Sequence, residues 1–293
     1  MAKYKISDLE QLSGVKAHTI RIWEQRYKVL VPLRTETNIR YYDDKQLLKL
    51  LNIVSLMNAG NKISVISKLS DKEFNEEIKT LGETSSIGLK EEMLTNQLII
   101  SGLAYDEKAF DKALSNSILS FGLLQSYNKV FYPMLVKLGL LWSVSELTPS
   151  QEHFVSNLIK QKMFAAIDAL EPASIQTEKW VLFLPEAEMH DIGLLIANFM
   201  LRSKSVTVIY LGENVPIKNL YQVAENVKPT HYLTFAVRQN QQKMFNKYLS
   251  EMKNRFDDPN IFICCDMSFG EKLNLSDNQH AITSFDSFMN VIK

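Results

Sequence analysis

Ile6-Ser7-Asp8-Leu9-Glu10-Gln11-Leu12-Ser13-Gly14-Val15, followed by Thr19-Ile20-Arg21-Ile22-Trp23-Glu24-Gln25-Arg26-Tyr27, decides how this chain folds at its amino end. Ser7 and Glu10 have capping-box spacing and open a first helix, with Leu9 and Leu12 as its apolar face. Gly14 supplies a turn. A second helix then carries Arg21 and Arg26 beside the aromatic anchors Trp23 and Tyr27. Two short helices around a glycine turn, the second studded with arginine, form the arrangement that lays side chains in a major groove. His18, Thr19, Arg21, Arg26 and Tyr27 are its candidate DNA contacts.

Working outward, Pro32 and the tip Thr35-Glu36-Thr37-Asn38 read as a two-stranded wing. Arg34 and Arg40 flank that tip, where they are placed to grip phosphates. Such contacts set register and salt-dependent affinity rather than sequence choice. Tyr41 and Tyr42 are strand neighbours, so one is expected to face out and the other to pack the wing. Asp43 caps a helix through Leu47, Leu50, Leu51 and Val54 that Gly60 ends, and a short helix through Ile63, Ile66 and Leu69 closes the segment. Residues 1–70 hold 12 of the 33 Lys+Arg and 6 of the 33 Asp+Glu, leaving 21 and 27 for the rest. A basic head on an acidic body fits nucleic-acid binding at one end.

With 293 residues, 46% of them apolar, two or three domains are expected. No apolar run is long enough to span a bilayer, and no signal-like segment is evident. The adjacent Cys264 and Cys265 make no disulfide framework and read as buried small hydrophobes, so a reducing cytoplasm is the expected location. Residues 71–87 are polar, with Gly82, Thr84, Ser85 and Ser86, and read as a linker that leaves the head free to change pose. Residues 88–172 show helix-period stretches at 89–101, 106–121, 123–141 and 149–170, the pattern of an antiparallel four-helix bundle. Residues 178–293 alternate strand and helix, which argues a doubly wound, flavodoxin-like parallel sheet. The expected class is mainly α with an α/β domain, and such sheets bind ligands beyond the carboxyl ends of their strands.

One loop stands at such an end: Pro185-Glu186-Ala187-Glu188-Met189-His190-Asp191-Ile192-Gly193. A neutral imidazole at His190 is a good ligand for a transition metal. Glu188 on its other ring nitrogen would orient it, and Gly193 would let the next helix approach a bulky ligand. A lone loop histidine beside a glutamate is more often just surface polarity, so the spacing alone does not decide.

The amino-terminal residues Ile6-Ser7-Asp8-Leu9, Gly14-Val15, Thr19 to Glu24, Arg26-Tyr27, Pro32, Arg34-Thr35, Arg40-Tyr41-Tyr42 and Leu47 resemble the MerR family of winged-helix regulators. The resemblance implies a homodimer or higher homo-oligomer on a palindromic double-stranded operator. Asn38-Ile39-Arg40 stands where the family carries a wing glycine, and Asn tolerates positive φ. Glu188-x-His190-x-x-Gly193 resembles the Asp-x-His-x-x-Gly motif of cobalamin-binding domains. The bundle, with Trp142 and Glu152-His153, resembles the helical cap that precedes such domains. The whole order resembles the CarH/LitR-type light-sensing repressors. That resemblance implies a non-enzymatic regulator with adenosylcobalamin between cap and sheet. His190 would ligate cobalt from below, supported by Glu188, with Trp142, Glu152 and His153 above, Thr234 toward the tail, and Gly193 where the next helix approaches the ligand.

The pattern is not kept throughout. Thr234-Phe235-Ala236 stands for the family's Ser-x-Leu, which holds the cofactor tail; the hydroxyl is retained and the Leu is not. Cys264-Cys265 stands for a Gly-Gly along which the nucleotide tail runs, and Ser143 for a His after the cap Trp. A second reading therefore stays open, in which the same head carries a degenerate body used for oligomerisation or a protein partner. A third, a corrinoid-carrying methyltransferase component, leaves the winged head without a purpose.

Overall fold

The structure, a computed structural model, describes residues 3–84, 87–143, 148–173, 175–238, 241–256 and 259–292. They divide into two compact units, Met1–Leu158 and Ile159–Lys293.

In the first unit, α1 (Ile6–Ser13) begins after Lys5, whose N–H donates to the Asp8 carboxylate at 2.5 Å. The start of α1 is thus held by Asp8 rather than by the expected Ser7–Glu10 box. Glu10 reaches forward instead: it accepts from the Ala17 N–H at 3.0 Å and pairs with Lys16 at 3.0 Å. It thereby satisfies an orphan donor at the start of α2 (Ala17–Ile22). Gly14 makes the turn at φ 72°, in the left-handed region that glycine enters without strain. α2 continues as a π-helical turn, Trp23–Tyr27, and stops where Lys28 turns left-handed. Ile20 and Trp23 are buried with Leu9, Leu12, Leu47 and Leu50.

The wing is two short antiparallel strands, β1 (Leu33–Arg34) and β2 (Arg40–Tyr41), pairing Leu33 with Tyr41 and Arg34 with Arg40. Asn38 takes φ 64° at the tip, so it occupies the left-handed position it was expected to tolerate. α3 (Asp44–Asn58) is capped by Asp43, which accepts from the Gln46 N–H, and α4 (Ile63–Ile66) follows.

The stretch expected to be a linker is helical: α5 covers Asp71–Thr84. It opens on a reciprocal box, in which the Ser70 N–H donates to Glu73 at 2.8 Å and the Glu73 N–H donates back to the Ser70 hydroxyl at 3.3 Å. Phe74 anchors it by burial. Next come α6 (Ile87–Leu103), α7 (Glu107–Ser126, broken at Gly122), a π-helical turn at Tyr127–Phe131, α8 (Tyr132–Ser143) and α9 (Pro149–Asp168). The head is not loose on the bundle. α6 packs on α3, with Asn58 Nδ2 donating to Glu92 at 3.0 Å and Asn96 Nδ2 to the Ser55 hydroxyl at 3.5 Å.

The second unit holds β3 (Ile175–Pro185), α10 (Ile192–Ser203), β4 (Val206–Val215), α11 (Ile217–Val227) and β5 (His231–Ala236). It continues through α12 (Gln242–Arg255), β6 (Asn260–Cys265), α13 (Met267–Gly270), β7 (Gln279–Ile282) and α14 (Phe285–Val291). The strands are parallel in the order β4-β3-β5-β6-β7, the flavodoxin-like winding. The strand order reverses between β3 and β5, so the loop after β3 opens at a topological switch point. On one face Val181, Phe183, Tyr232, Ile261 and Ile263 pack with Phe245, Leu249 and Met252 of α12. On the other, the Trp180 ring stacks on His231 at 4.3 Å and on Phe262 at 5.4 Å. Burial holds the His231 imidazole below its ordinary pKa.

Candidate nucleic-acid interface and ligand crevice

Burying Ile20 and Trp23 turns the opposite side of α2 to solvent, because residues three apart share a helix face. His18, Arg21 and Arg26 are exposed there, and Thr19 and Tyr27 are partly exposed. The Arg26 guanidinium lies 5.3 Å from the centre of the Tyr27 ring, and the Thr19 hydroxyl is 3.3 Å from His18 Nε2. The two wing tyrosines part as strand neighbours should. Tyr42 is fully buried and its hydroxyl donates to Glu24, tying the wing base to the helix that carries the arginines. Burial first, and then Glu24, push the Tyr42 hydroxyl well above the ordinary range, so it stays a donor. Tyr41 faces outward under the Lys3 ammonium, 5.1 Å from its ring centre. Arg40 is exposed, whereas Arg34 is also used locally, donating to Asn38 Oδ1 at 2.7 Å and bracing the tip. All eight predicted DNA contacts therefore lie on the surface of the head, with an indole and a phenol buried behind them.

The second unit assembles its site at the switch point. Glu188 is fully buried, and its Oε1 faces three donors: His190 Nδ1 at 2.5 Å, the His190 N–H at 3.1 Å and the Met189 N–H at 2.9 Å. Burial alone would raise this carboxyl, but the His190 ring, the His190 N–H and the Met189 N–H outweigh it and hold the group below its ordinary value. A carboxylate on Nδ1 leaves the lone pair on Nε2, which finds no partner among the described residues. The ring is 45% exposed, so Nε2 is presented rather than sealed in. The loop is pinned from both sides. Asn214 Oδ1 accepts from the Ala187 N–H at 3.0 Å, and the Tyr248 hydroxyl accepts from the Glu186 N–H at 3.2 Å. Beside His190, Asp191 pairs with Lys160 of α9 at 2.6 Å, both side chains largely buried.

Several residues at this end escape reading from sequence. Met189, Val237 and Met267 are 48%, 50% and 66% exposed, and they follow β3, β5 and β6 at their carboxyl ends. Together they leave an apolar rim along the carboxyl edge of the sheet, at the ends of three neighbouring strands. Lys160 and Phe235 carry no local signal either, because the fold alone brings them to Asp191 and Gly193. Gly193 is bare for a reason other than the one expected. A β-carbon there would lie 2.6 Å from Cε1 of Phe235, so the vacancy is taken by the chain's own ring rather than left for a ligand. Thr234 is buried with its hydroxyl unpartnered among the described residues, and strand alternation puts it on the face opposite Phe235. Cys264 and Cys265 are free, and burial first drives both thiols up, Cys265 to about 11, so they pack as neutral hydrophobes.

In the first unit, Glu152 and His153 lie on the first turn of α9 with Oε2 and Nε2 3.4 Å apart, and their side chains are 43% and 71% exposed. The buried member of that turn is Gln151, which donates to the Leu103 carbonyl at 2.9 Å. Trp142 lies in α8, and its side chain is outside the described residues, as is that of Ser143.

The residues at the switch point fit part of a corrinoid. One presented imidazole with a buried carboxylate behind it suits the lower face of a metal macrocycle, and the apolar rim suits its flat body. Among the described residues no three His, Cys, Asp or Glu side chains gather as they would around a bare metal ion. The groove for a nucleotide tail does not fit: Phe235 fills it against Gly193, and Cys264-Cys265 replaces bare backbone. No helix among the described residues is long and apolar enough to cross a membrane.

Comparison with known proteins bears on both units. Residues 4–73 match the model of the MerR HTH family regulatory proteins, and residues 94–167 match the B12 binding domain. The HTH-type transcriptional repressor CarH of Myxococcus xanthus is 29% identical over 229 residues, which is 77% of this chain and 76% of that protein. The repressor CarA of the same organism is 25% identical over 226 residues, 77% of this chain and 73% of that protein. Among solved structures, the monomethylamine corrinoid protein of Methanosarcina barkeri is alike in fold, with a TM-score of 0.54 at 14% identity over 69% of this chain and 98% of that one. The chain thus joins a head that matches the MerR HTH family to a segment that matches the B12 binding domain, and over about three quarters of its length it is similar to the CarH and CarA repressors.

Proposed function

We propose that this regulator represses transcription in the cytoplasm as a homodimer or higher oligomer on a two-fold symmetric operator, and that its second unit takes a corrinoid on His190. The observation that carries the ligand reading is the Glu188–His190 pair, 2.5 Å apart, at the switch point of a sheet wound in flavodoxin order. When bound, such a group would supply a metal centre for the His190 imidazole to hold, and with it a chemistry of ligand exchange that the chain itself lacks. The chain's residues do the rest. Glu188 fixes the imidazole tautomer, Lys160 steadies Asp191 at the head of α10, and the loop holds Nε2 outward. A ligand that favours one assembly state of the protein over another shifts the population toward it, and DNA affinity follows.

A second reading has its own observation. Phe235 fills space at the ligand end and Cys264 stands in register with it, as suits a body recruited by a protein partner. Absorption spectra of wild type and His190→Ala, each supplied with adenosylcobalamin and with cobinamide, separate the two. The ligand reading expects a wild-type spectrum of imidazole-ligated corrinoid that the variant loses. Identical spectra reject His190 as ligand, and a colourless wild type supports the partner reading.

A further inference from the structure

We infer that Phe235 closes the tail groove of the second unit, so that this chain selects among corrinoids by what hangs below the ring and prefers one without a nucleotide base. The inference rests on the corrinoid reading above and concerns the part of the site where the fit fails. Three atoms of the Phe235 ring lie close to where a β-carbon of residue 193 would stand: Cε1 at 2.6 Å, Cδ1 at 2.8 Å and Cζ at 3.2 Å. A flat aromatic ring is therefore seated against the one bare backbone position at the start of α10. That is the berth a flat nucleotide base would need. The ring is braced from behind, since Phe288 of α14 meets it edge-on with centroids 6.4 Å apart. The neighbouring strand offers no detour. Phe235 is in register with Cys264, so a side chain carrying sulfur lies on the same face where the motif would have a glycine, while Cys265 packs with the α12 cluster on the other face. Thr234 cannot anchor a tail in this groove, because its hydroxyl is on the opposite face of β5. None of this touches the upper part of the crevice. His190 Nε2 and the rim of Met189, Val237 and Met267 remain open to a macrocycle whose tail is short.

The test is a pair of titrations on the full chain, one with cobinamide, which has no nucleotide, and one with cobalamin, which ends in a benzimidazole base. Wild type should bind cobinamide at least about tenfold more tightly than cobalamin (about 1.4 kcal/mol). Phe235→Ala should narrow or reverse that ratio by about tenfold, and Phe235→Leu should fall between. Because the quantity read is a ratio within each protein, partial loss of folded material does not imitate the effect. Equal or tighter binding of cobalamin by wild type overturns the inference, and so does a ratio that Phe235→Ala leaves unchanged. Uptake of neither compound by wild type overturns the corrinoid reading itself. That outcome is distinct from failure of the groove, in which wild type takes cobalamin readily.

Discussion

The recognition helix and the ligand crevice make an instructive pair. Each presents polar side chains on a buried support, but the supports are built differently. Arg21 and Arg26 face out because Ile20 and Trp23 face in, all within one helix and its continuing turn. His190 also has a near support in Glu188, but its surroundings come from Lys160 on α9, Phe235 and Val237 around β5, and Met267 after β6. A surface determined by helix periodicity can be altered one residue at a time. A crevice assembled from several chain segments can keep its motif and still lose the space around it, and Phe235 has brought that about here.

The strongest way to break this comparison is to remove the head's support. Trp23→Ala should cost roughly 3–5 kcal/mol of stability, the usual toll for truncating a buried aromatic. Urea unfolding of the full chain, followed by circular dichroism, should show the loss in the first unit, with corrinoid uptake by the second unchanged. A shift below about 1 kcal/mol would mean that Trp23 is not the support its burial indicates. Next in size is Arg21→Ala, which should weaken operator binding by about 1–3 kcal/mol and leave stability alone. Fluorescence anisotropy on an operator fragment against random duplex reads this, and equal affinity of wild type and variant would remove Arg21 from the interface. The smallest effect sharpens the crevice side. The folded Glu188 carboxyl lies below its ordinary value of 4.5, so its contribution is complete above that value and is lost as pH falls through the folded one. Melting temperatures of wild type and Glu188→Gln should therefore differ at neutral pH and converge in acid. A gap that persists into acid would locate the effect elsewhere than in this ionisation.

How much of this was legible beforehand follows the same division. The helix-turn-helix, the outward arginines, the parting of Tyr41 and Tyr42 and the left-handed Asn38 all rest on interactions a few residues long, and pattern reading reached them. It erred where one local signal outvoted another. Gly82 and the serines near it suggest a linker, but the Ser70–Glu73 box just upstream starts α5 and outweighs them. It erred again at Ser7 and Glu10, where spacing was right but Asp8 sits closer to the free N–H. In the sheet unit the winding order and the Glu188–His190 pair were readable. Phe235 against Gly193, Lys160 on Asp191 and the apolar rim were not, because nothing in a linear pattern says which strands become neighbours.

The three tryptophans have a practical consequence. They are distributed one to the head, one to α8 and one to β3, so each segment carries its own native fluorophore. Trp180 lies flat on an imidazole that burial keeps uncharged until the solution is more acid than histidine ordinarily requires. Since imidazolium quenches indole emission, light from the sheet should stay steady through neutrality and dim only well into acid. Single-tryptophan variants would then let an operator, a corrinoid or a denaturant be followed segment by segment without attaching a dye.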